Sequence, residues 1–182
     1  QFFAEVFAQL DRGAFVDALA TCDALLGKDE LFLYDTLRFK GEILNALERY
    51  DEAKAVYQRV LDNATVPWAR MGLASAHRGL DDLAEAEQIT TALIEEFPDY
   101  LAAYDFLTGI CEEQGKLARA QELLQQAASR SPNNSGRQRM IGEIAVRNDD
   151  LDAAERAYGK VLERRRGSSL RAVDDYTNLT RV

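Results

Sequence analysis

The residues best suited to chemistry in this sequence are few and far apart. His77 is the only histidine, so neither a catalytic triad nor a multi-histidine metal site can form within the chain, and we interpret His77 as structural. Ser75 lies two residues away, a spacing that points the two side chains in different directions on a helix. The acidic pairs, such as Glu95-Glu96 and Glu112-Glu113, lack a convergent partner or a metal-loop pattern. We therefore predict a non-enzymatic protein with no catalytic residue, no metal site and no cofactor.

Charge excludes further classes of function. The formal charge of -9 and the pI near 4.7 disfavour general binding to nucleic acid or anionic lipid, which requires clustered positive charge. The charge is uneven, because residues 1–134 hold 12 basic and 23 acidic side chains, whereas residues 135–182 hold 10 basic and 8 acidic ones. The first part therefore carries a net -11 and the second a net +2. Any anion-attracting surface is expected near the C-terminus.

The cysteines and the termini bear on location. Cys22 and Cys111 are far apart in apolar helical patterns, which predicts two buried free thiols in a reducing compartment. No run of 18 apolar residues is present, and Gln1-Phe2-Phe3-Ala4 lacks the pattern of a signal peptide. We therefore predict a cytoplasmic protein that does not contact a membrane. The absence of an initial Met predicts that this chain is a fragment of a longer one.

A repeat organises the elements that must carry any site. Alanines that follow a turn recur at Ala18, Ala53, Ala86, Ala120 and Ala154, with spacings of 35, 33, 34 and 34 residues. A second series of small residues recurs at spacings of 33, 34 and 34 in Gly41, Ala74, Thr108 and Gly142. Apolar residues between them follow a 3.6-residue period, and strand-like alternation is absent. These patterns predict an all-α chain of helix pairs.

These residues resemble the tetratricopeptide repeat, a 34-residue helix–turn–helix unit. The fourth repeat matches the signature in order at Leu107-Thr108, Gly115, Leu117, Ala120, Leu124, Ala127 and Pro132. The resemblance implies a right-handed superhelix, an α-α solenoid of about five helix pairs with a C-terminal capping helix. The predicted repeats are 1–30, 31–66, 67–100, 101–134 and 135–168, with the cap at 169–182. The predicted helix pairs are 1–12 with 14–26, 31–47 with 50–63, 67–79 with 82–96, 101–114 with 117–130, and 135–148 with 151–166.

The resemblance also implies a functional surface, a concave groove lined by the first helix of each pair that holds peptides of partner proteins. Trp68 and Met71 are expected to anchor an apolar side chain, and the arginines to pair with carboxylates. Alternatively, Trp68 covers the turn between two repeats, and each arginine is solvated. The predicted groove residues are Arg38, Glu42, Asn45, Trp68, Met71, Arg78, Asp105, Arg139, Glu143 and Arg147.

An apolar stripe marks the first helix. Phe2, Phe3, Val6 and Phe7 recur at helical spacing, and no repeat precedes this helix to cover its outer side. We predict that this face contacts an upstream domain or a second copy in a homodimer.

A narrower resemblance points to the bacterial response regulators that join a CheY-like receiver to tetratricopeptide repeats. It rests on Pro67-Trp68-Ala69-Arg70-Met71-Gly72-Leu73-Ala74, Leu101-Ala102-Ala103-Tyr104-Asp105 and the stretch 142–148. It implies an interaction module or scaffold in bacterial two-component signal transduction, with a receiver upstream. The alternative is a structural assembly factor of a pilus, secretion or envelope complex. A basic patch at Arg137, Arg139, Arg147 and Arg164–Arg166 leaves a third reading, nucleic-acid binding, which the acidic composition opposes.

Overall fold

The computed structural model describes residues 3–28, 30–132 and 134–165, and every regular element in these ranges is helical. A short 3-10 turn at Glu30–Phe32 precedes the third of the ten α-helices that these ranges contain. They are α1 (Ala4–Asp11), α2 (Phe15–Leu25), α3 (Leu33–Ala46), α4 (Tyr50–Leu61), α5 (Pro67–Gly79), α6 (Leu83–Glu96), α7 (Leu101–Glu113), α8 (Leu117–Arg130), α9 (Ser135–Arg147) and α10 (Leu151–Arg165). No helix within the described ranges has the length and apolar character needed to cross a membrane.

Consecutive helices pack in pairs, from α1 with α2 to α9 with α10. The chain divides into two compact units, which we call unit 1 (Gln1–Pro98) and unit 2 (Asp99–Val182). The predicted all-α fold of helix pairs is confirmed, and the predicted helix bounds agree with the observed ones to within one helical turn. The predicted cap at 169–182 lies outside the described residues. The interpretation of residues 1–182 as a single array stays a prediction.

The turn inside each pair has one residue with a positive φ angle at the same repeat position. These residues are Gly13, Glu48, Asp81, Gly115 and Asp149, with φ angles between 57° and 71°. Their spacings of 35, 33, 34 and 34 residues equal those of the alanine series. A left-handed residue after the last helical turn ends the first helix of the pair and redirects the chain. The backbone therefore repeats with the same period as the sequence.

Glycines and tyrosines bring the helices of a pair together. The ring of Tyr57 on α4 packs against Gly41 on α3, where an added Cβ would lie 2.6 Å from the tyrosine Cζ. Tyr158 on α10 packs in the same way against Gly142 on α9, also at 2.6 Å. The prediction that small residues at positions 41 and 142 allow close helix approach is therefore confirmed.

Both cysteines are buried free thiols, as predicted. Burial raises the pKa of the Cys22 thiol to about 11, and the neighbouring Asp23 adds to the shift. Cys22 is therefore a protonated core residue at neutral pH.

Candidate functional site

The predicted groove residues of unit 1 form a cluster of charged and aromatic side chains. On α3, Arg38 Nε donates a hydrogen bond of 2.9 Å to Glu42 Oε1 one turn further on, and both side chains are half-exposed. The guanidinium carbon of Arg38 lies 5.9 Å from the ring centroid of Trp68 on α5, within the range of a cation–π contact. We call Arg38, Glu42 and Trp68 the α3–α5 patch.

The position of Trp68 follows from the start of α5. Val66 has an extended backbone, and Pro67 is the first helical residue, where its fixed φ angle suits the helix and its missing N–H costs nothing. Trp68 is consequently in the first turn, partly buried, with its ring edge-on to Tyr57 at a centroid distance of 6.4 Å. Trp68 thus has a packing role in the core of unit 1 as well as a contact with Arg38.

Asn45 makes a contact between two helices of neighbouring repeats. Its Nδ2 donates a hydrogen bond of 3.1 Å to the carbonyl oxygen of Gly72 on α5, so its side chain ties α3 to α5. Its Oδ1 is buried and has no hydrogen-bond partner among the described residues. The amide of Asn45 thus turns toward the neighbouring backbone, and the place of Asn45 in a groove stays a prediction. Met71 and Arg78 on α5 are both partly buried.

In unit 2, Asp105 belongs to an ion pair whose arginine is buried. Arg137 at the start of α9 donates from Nε and Nη2 to the two carboxylate oxygens of Asp105 on α7, at 3.0 and 2.7 Å. The Arg137 side chain is 4% exposed and that of Asp105 is 40% exposed. Arg137 Nη1 is buried without a hydrogen-bond partner among the described residues. The charge of Asp105 is therefore satisfied within the unit, which reduces what it offers a partner.

A second ion pair joins the same two helices. Arg147 on α9 donates from Nη1 to Glu112 Oε1 on α7. Arg139 is partly buried and Glu143 is exposed, both on α9. The structure thus uses two of the predicted groove residues, Asp105 and Arg147, to bind one repeat to the next.

Sequence reasoning did not assign Arg137 to the Asp105 pair. The signal was in the repeat register, because position 137 corresponds to Thr36, Ala69 and Ala103, which are buried. An arginine at a buried position that other repeats fill with small residues requires a carboxylate nearby. Its place in the first turn of a helix, where the dipole disfavours a cation, is a second sign of a specific partner.

The apolar stripe of α1 packs largely within unit 1. Val6 is fully buried, and the ring of Phe3 contacts those of Phe32 and Phe39 at centroid distances of 5.9 and 5.0 Å. Phe7 lies edge-on to Phe39 at 5.2 Å but is 49% exposed. Phe2 lies outside the described residues. Among the described residues of the stripe, Phe7 is thus the most exposed, and contact of this face with an upstream domain or a second copy stays a prediction.

The single histidine has a structural contact. Its Nδ1 lies 3.0 Å from Oδ2 of Asp82, whose Oδ1 accepts from the backbone N–H of Glu85 at the start of α6. His77 therefore supports the residue that caps α6, which agrees with the structural interpretation. The hydrogen bond from His77 is the main cause of a lowered pKa of the Asp82 carboxyl. Within the described ranges, no three His, Cys, Asp or Glu side chains gather as they would around a metal ion.

Comparison with known proteins identifies the repeat. A sequence model of the tetratricopeptide repeat matches residues 44–108 and 112–173. No curated protein matches this sequence significantly.

Solved structures of repeat proteins are similar in fold. Residues 41 to the end of MamA from Desulfovibrio magneticus RS-1 superpose with a TM-score of 0.70 at 21% identity, covering 93% of this chain and 96% of that one. A tetratricopeptide repeat protein from Parabacteroides merdae ATCC 43184 gives 0.72 at 15% identity, covering 99% and 70%. YrrB, described as a TPR protein with an unusual peptide-binding site, gives 0.60 at 15% identity, covering 89% and 84%. At these identities the similarity shows the fold alone.

Proposed function

Because the chain belongs to the tetratricopeptide repeat family, we propose that it is a non-enzymatic interaction module that captures a peptide segment of a partner protein. Tetratricopeptide repeats are protein-interaction scaffolds, and the similarity to YrrB supports a peptide as the ligand class. The preformed surface lies on the first helices of the pairs, and a few anchoring side chains supply the affinity.

The α3–α5 patch is the observation that carries this proposal. It combines a half-exposed arginine–glutamate pair with the ring of a partly buried tryptophan, and Trp and Arg are enriched among residues that dominate binding energies. A carboxylate of the partner exchanges with Glu42 for Arg38, while an apolar side chain packs on Trp68. The pair is solvent-accessible, so this exchange does not require buried charges to be exposed.

The first helices of the pairs in unit 2, α7 and α9, carry the remaining predicted groove residues and form a surface of their own. Glu143 is exposed there and Arg139 is partly buried, whereas the side chains of Asp105 and Arg147 pair with Arg137 and Glu112. We therefore expect the α3–α5 patch to contribute more to affinity than the surface of unit 2.

A displayed peptide library tests this proposal. Peptides selected on the wild-type protein are expected to bind Arg38→Glu and Trp68→Ala at least about tenfold more weakly, because each variant removes one anchor. Arg119→Glu, which changes the same charge on α8, is expected to bind like the wild type. Trp68 is the only tryptophan, so its emission reports directly on a ligand at the patch. Selected peptides that bind all three variants equally and leave the emission unchanged would refute the proposal.

The cellular setting stays a prediction from the sequence resemblance. We propose that the module is the output part of a bacterial response regulator in the cytoplasm, with a receiver domain upstream. The sequence that precedes Gln1 tests this directly. An envelope-targeting segment there would instead favour an assembly factor of a pilus, secretion or envelope complex. The exposed Phe7 is the side chain that an upstream domain or a second copy would cover, and sedimentation of Phe7→Ser against the wild type tests the dimer.

A further inference from the structure

Unit 2 contains an open cleft that none of the groove residues lines. It has a volume of about 650 Å³ and is enclosed by side chains of α8, α9 and α10. Its apolar walls include Ala128 of α8, Ile141 of α9, and Ala153 and Ala157 of α10. A volume of this size accommodates several side chains of a bound segment.

The repeat register explains why this cleft exists. Counted from the repeated alanines, Ala128 corresponds to Leu61 on α4, and Ala157 corresponds to Ile89 on α6. Unit 1 thus places two large side chains where unit 2 has two methyl groups. Because alanine occupies both positions, the space between α8 and α10 is left unfilled, although both helices pack against α9.

A buried polar side chain faces this space. Gln138 on α9 is only 5% exposed and lines the cleft. Its side-chain amide makes no hydrogen bond with any residue in the part of the chain that the structure describes. The corresponding residue of unit 1, Arg70, forms an ion pair with Glu96 at 2.5 Å. The amide atoms of Gln138 are not fully buried, so they are open to the cleft, where a peptide backbone offers the matching donor and acceptor.

The charges at the cleft define the ligand further. Arg156 and Lys160 lie one turn apart on α10, and both line the cleft. Neither forms an ion pair with another of the described residues. Glu163 also lines the cleft, so these three side chains together carry a net charge of +1. The cleft thus carries a small net positive charge in the part of the chain that is not acidic overall, although the Asp150 carboxylate is close enough to Arg156 to interact with it.

We propose that this α8–α10 cleft is a second protein-binding site, which takes an acidic peptide segment of a partner protein with a large apolar side chain. The apolar side chain fills the space above Ala128 and Ala157, and the Gln138 amide bonds to the peptide backbone. Carboxylates beside the apolar side chain pair with Arg156 and Lys160. The site is independent of the α3–α5 patch, since it uses other helices and a different unit of the chain.

Fluorescence anisotropy with a defined probe tests the site. The probe is a fluorescein-labelled peptide with a central Leu-Phe pair flanked on both sides by glutamates, and its counterpart has glutamines instead. We expect the acidic probe to bind saturably, the glutamine probe to bind at least about tenfold more weakly, and Trp68 emission to stay constant. Lys160→Glu and Ala128→Leu are each expected to lower the affinity for the acidic probe by about tenfold or more. The first reverses a charge at the cleft, and the second fills the space for the apolar side chain.

Matched controls separate the site from general effects. Arg59→Glu makes the same charge change on α4, and Ala118→Leu makes the same volume change at an exposed position of α8; both are expected to bind like the wild type. Equal binding by all four variants, equal binding of the two probes, or no saturation up to about 1 mM peptide would overturn the proposal. Self-association that Lys160→Glu abolishes, in the absence of peptide binding, would also overturn it, because the occupant would then be a second copy.

Discussion

The two units join neighbouring repeats by different physical means. In unit 1, Tyr57 of α4 fills the space between Gly41 of α3 and Gly72 of α5. A Cβ added at Gly72 would lie only 2.1 Å from Cζ of Tyr57. In unit 2, the Arg137–Asp105 pair, whose arginine is buried, links α9 to α7. The α3–α5 junction thus combines shape complementarity with one hydrogen bond from Asn45, whereas the α7–α9 junction depends on directional charge pairing.

This difference predicts different sensitivities. Apolar packing is lost when volume changes, whereas a buried ion pair is lost when either partner is removed, since the remaining charge is then left without compensation. Unit 2 adds a polar network in which Gln121 Nε2 donates to Asp150 Oδ2 at 2.6 Å and Asn148 Nδ2 donates to Gln121 Oε1 at 3.1 Å. Substitutions that exchange these two strategies test the comparison.

The largest effect is expected for Asp105→Ala. It leaves the 4%-exposed Arg137 guanidinium without its carboxylate, and we expect the free energy of unfolding to fall by about 3 kcal/mol. Urea denaturation measures this loss. Glu143→Ala on α9 removes an exposed carboxylate and is expected to change stability by less than about 0.5 kcal/mol. Equal stabilities of the two variants would show that the Arg137 pair does not hold unit 2 together.

Gly72→Ala is expected to have the second-largest effect and to lower the free energy of unfolding by about 2 kcal/mol. The new methyl group collides with the Tyr57 ring, which cannot move away because Gly41 packs on its other side. The control is Gly159→Ala on α10, where an added Cβ meets no atom within 4 Å. That variant is expected to gain about 0.5 kcal/mol from helix propensity. Thermal unfolding of both proteins decides the point, and a Gly72→Ala protein as stable as the wild type would contradict it.

A smaller, reciprocal pair of effects is expected where the units differ in side-chain size. Leu61→Ala opens unit 1 at the position of Ala128 and is expected to cost about 1–2 kcal/mol, since Leu61 is only partly buried. Ala128→Leu fills part of the α8–α10 cleft and is expected to raise the free energy of unfolding by about 0.5 kcal/mol. Urea denaturation of the two variants measures both. Destabilisation by Ala128→Leu would mean that the cleft does not accept a side chain.

The smallest effect concerns pH. Hydrogen bonds from Gln121 and from the backbone N–H of Ala153 lower the pKa of Asp150 in the folded protein. Its contribution to stability is therefore present above its unfolded pKa near 3.8 and is lost as the pH falls through the lower folded value. Asp150→Asn should lose less stability than the wild type on acidification to this range, measured by melting temperature. An Asp150→Asn protein whose melting temperature falls with pH as steeply as that of the wild type would contradict this.

The sequence predicted the backbone better than the contacts between repeats. The 34-residue period placed Ala53, Gly41 and Gly142 correctly, because backbone position follows directly from register. It did not reveal that Asn45 turns toward Gly72, since the period assigns a helix face but not the direction of a side chain at its edge. The Arg137–Asp105 pair spans 32 residues and joins two repeats, so no pattern within one repeat reports it.

The Arg38–Trp68 contact shows that the sequence can predict which residues share a surface without showing what they do there. Both residues were expected on one surface, and the structure brings them together. Their predicted role in holding a ligand is untested, because packing on Tyr57 alone would explain the position of Trp68. The α8–α10 cleft was visible in the sequence only as alanines at positions where unit 1 has Leu61 and Ile89. Size differences between equivalent positions thus carry information that the consensus pattern conceals.

The ring of Tyr57 has a consequence for motion. It is almost fully buried between two helix backbones that approach so closely that neither tolerates a methyl group. A 180° flip of that ring requires α3 and α5 to separate transiently. The flip rate therefore measures how often the junction between these two helices opens. The ring also contacts Trp68 of the α3–α5 patch, at a centroid distance of 6.4 Å.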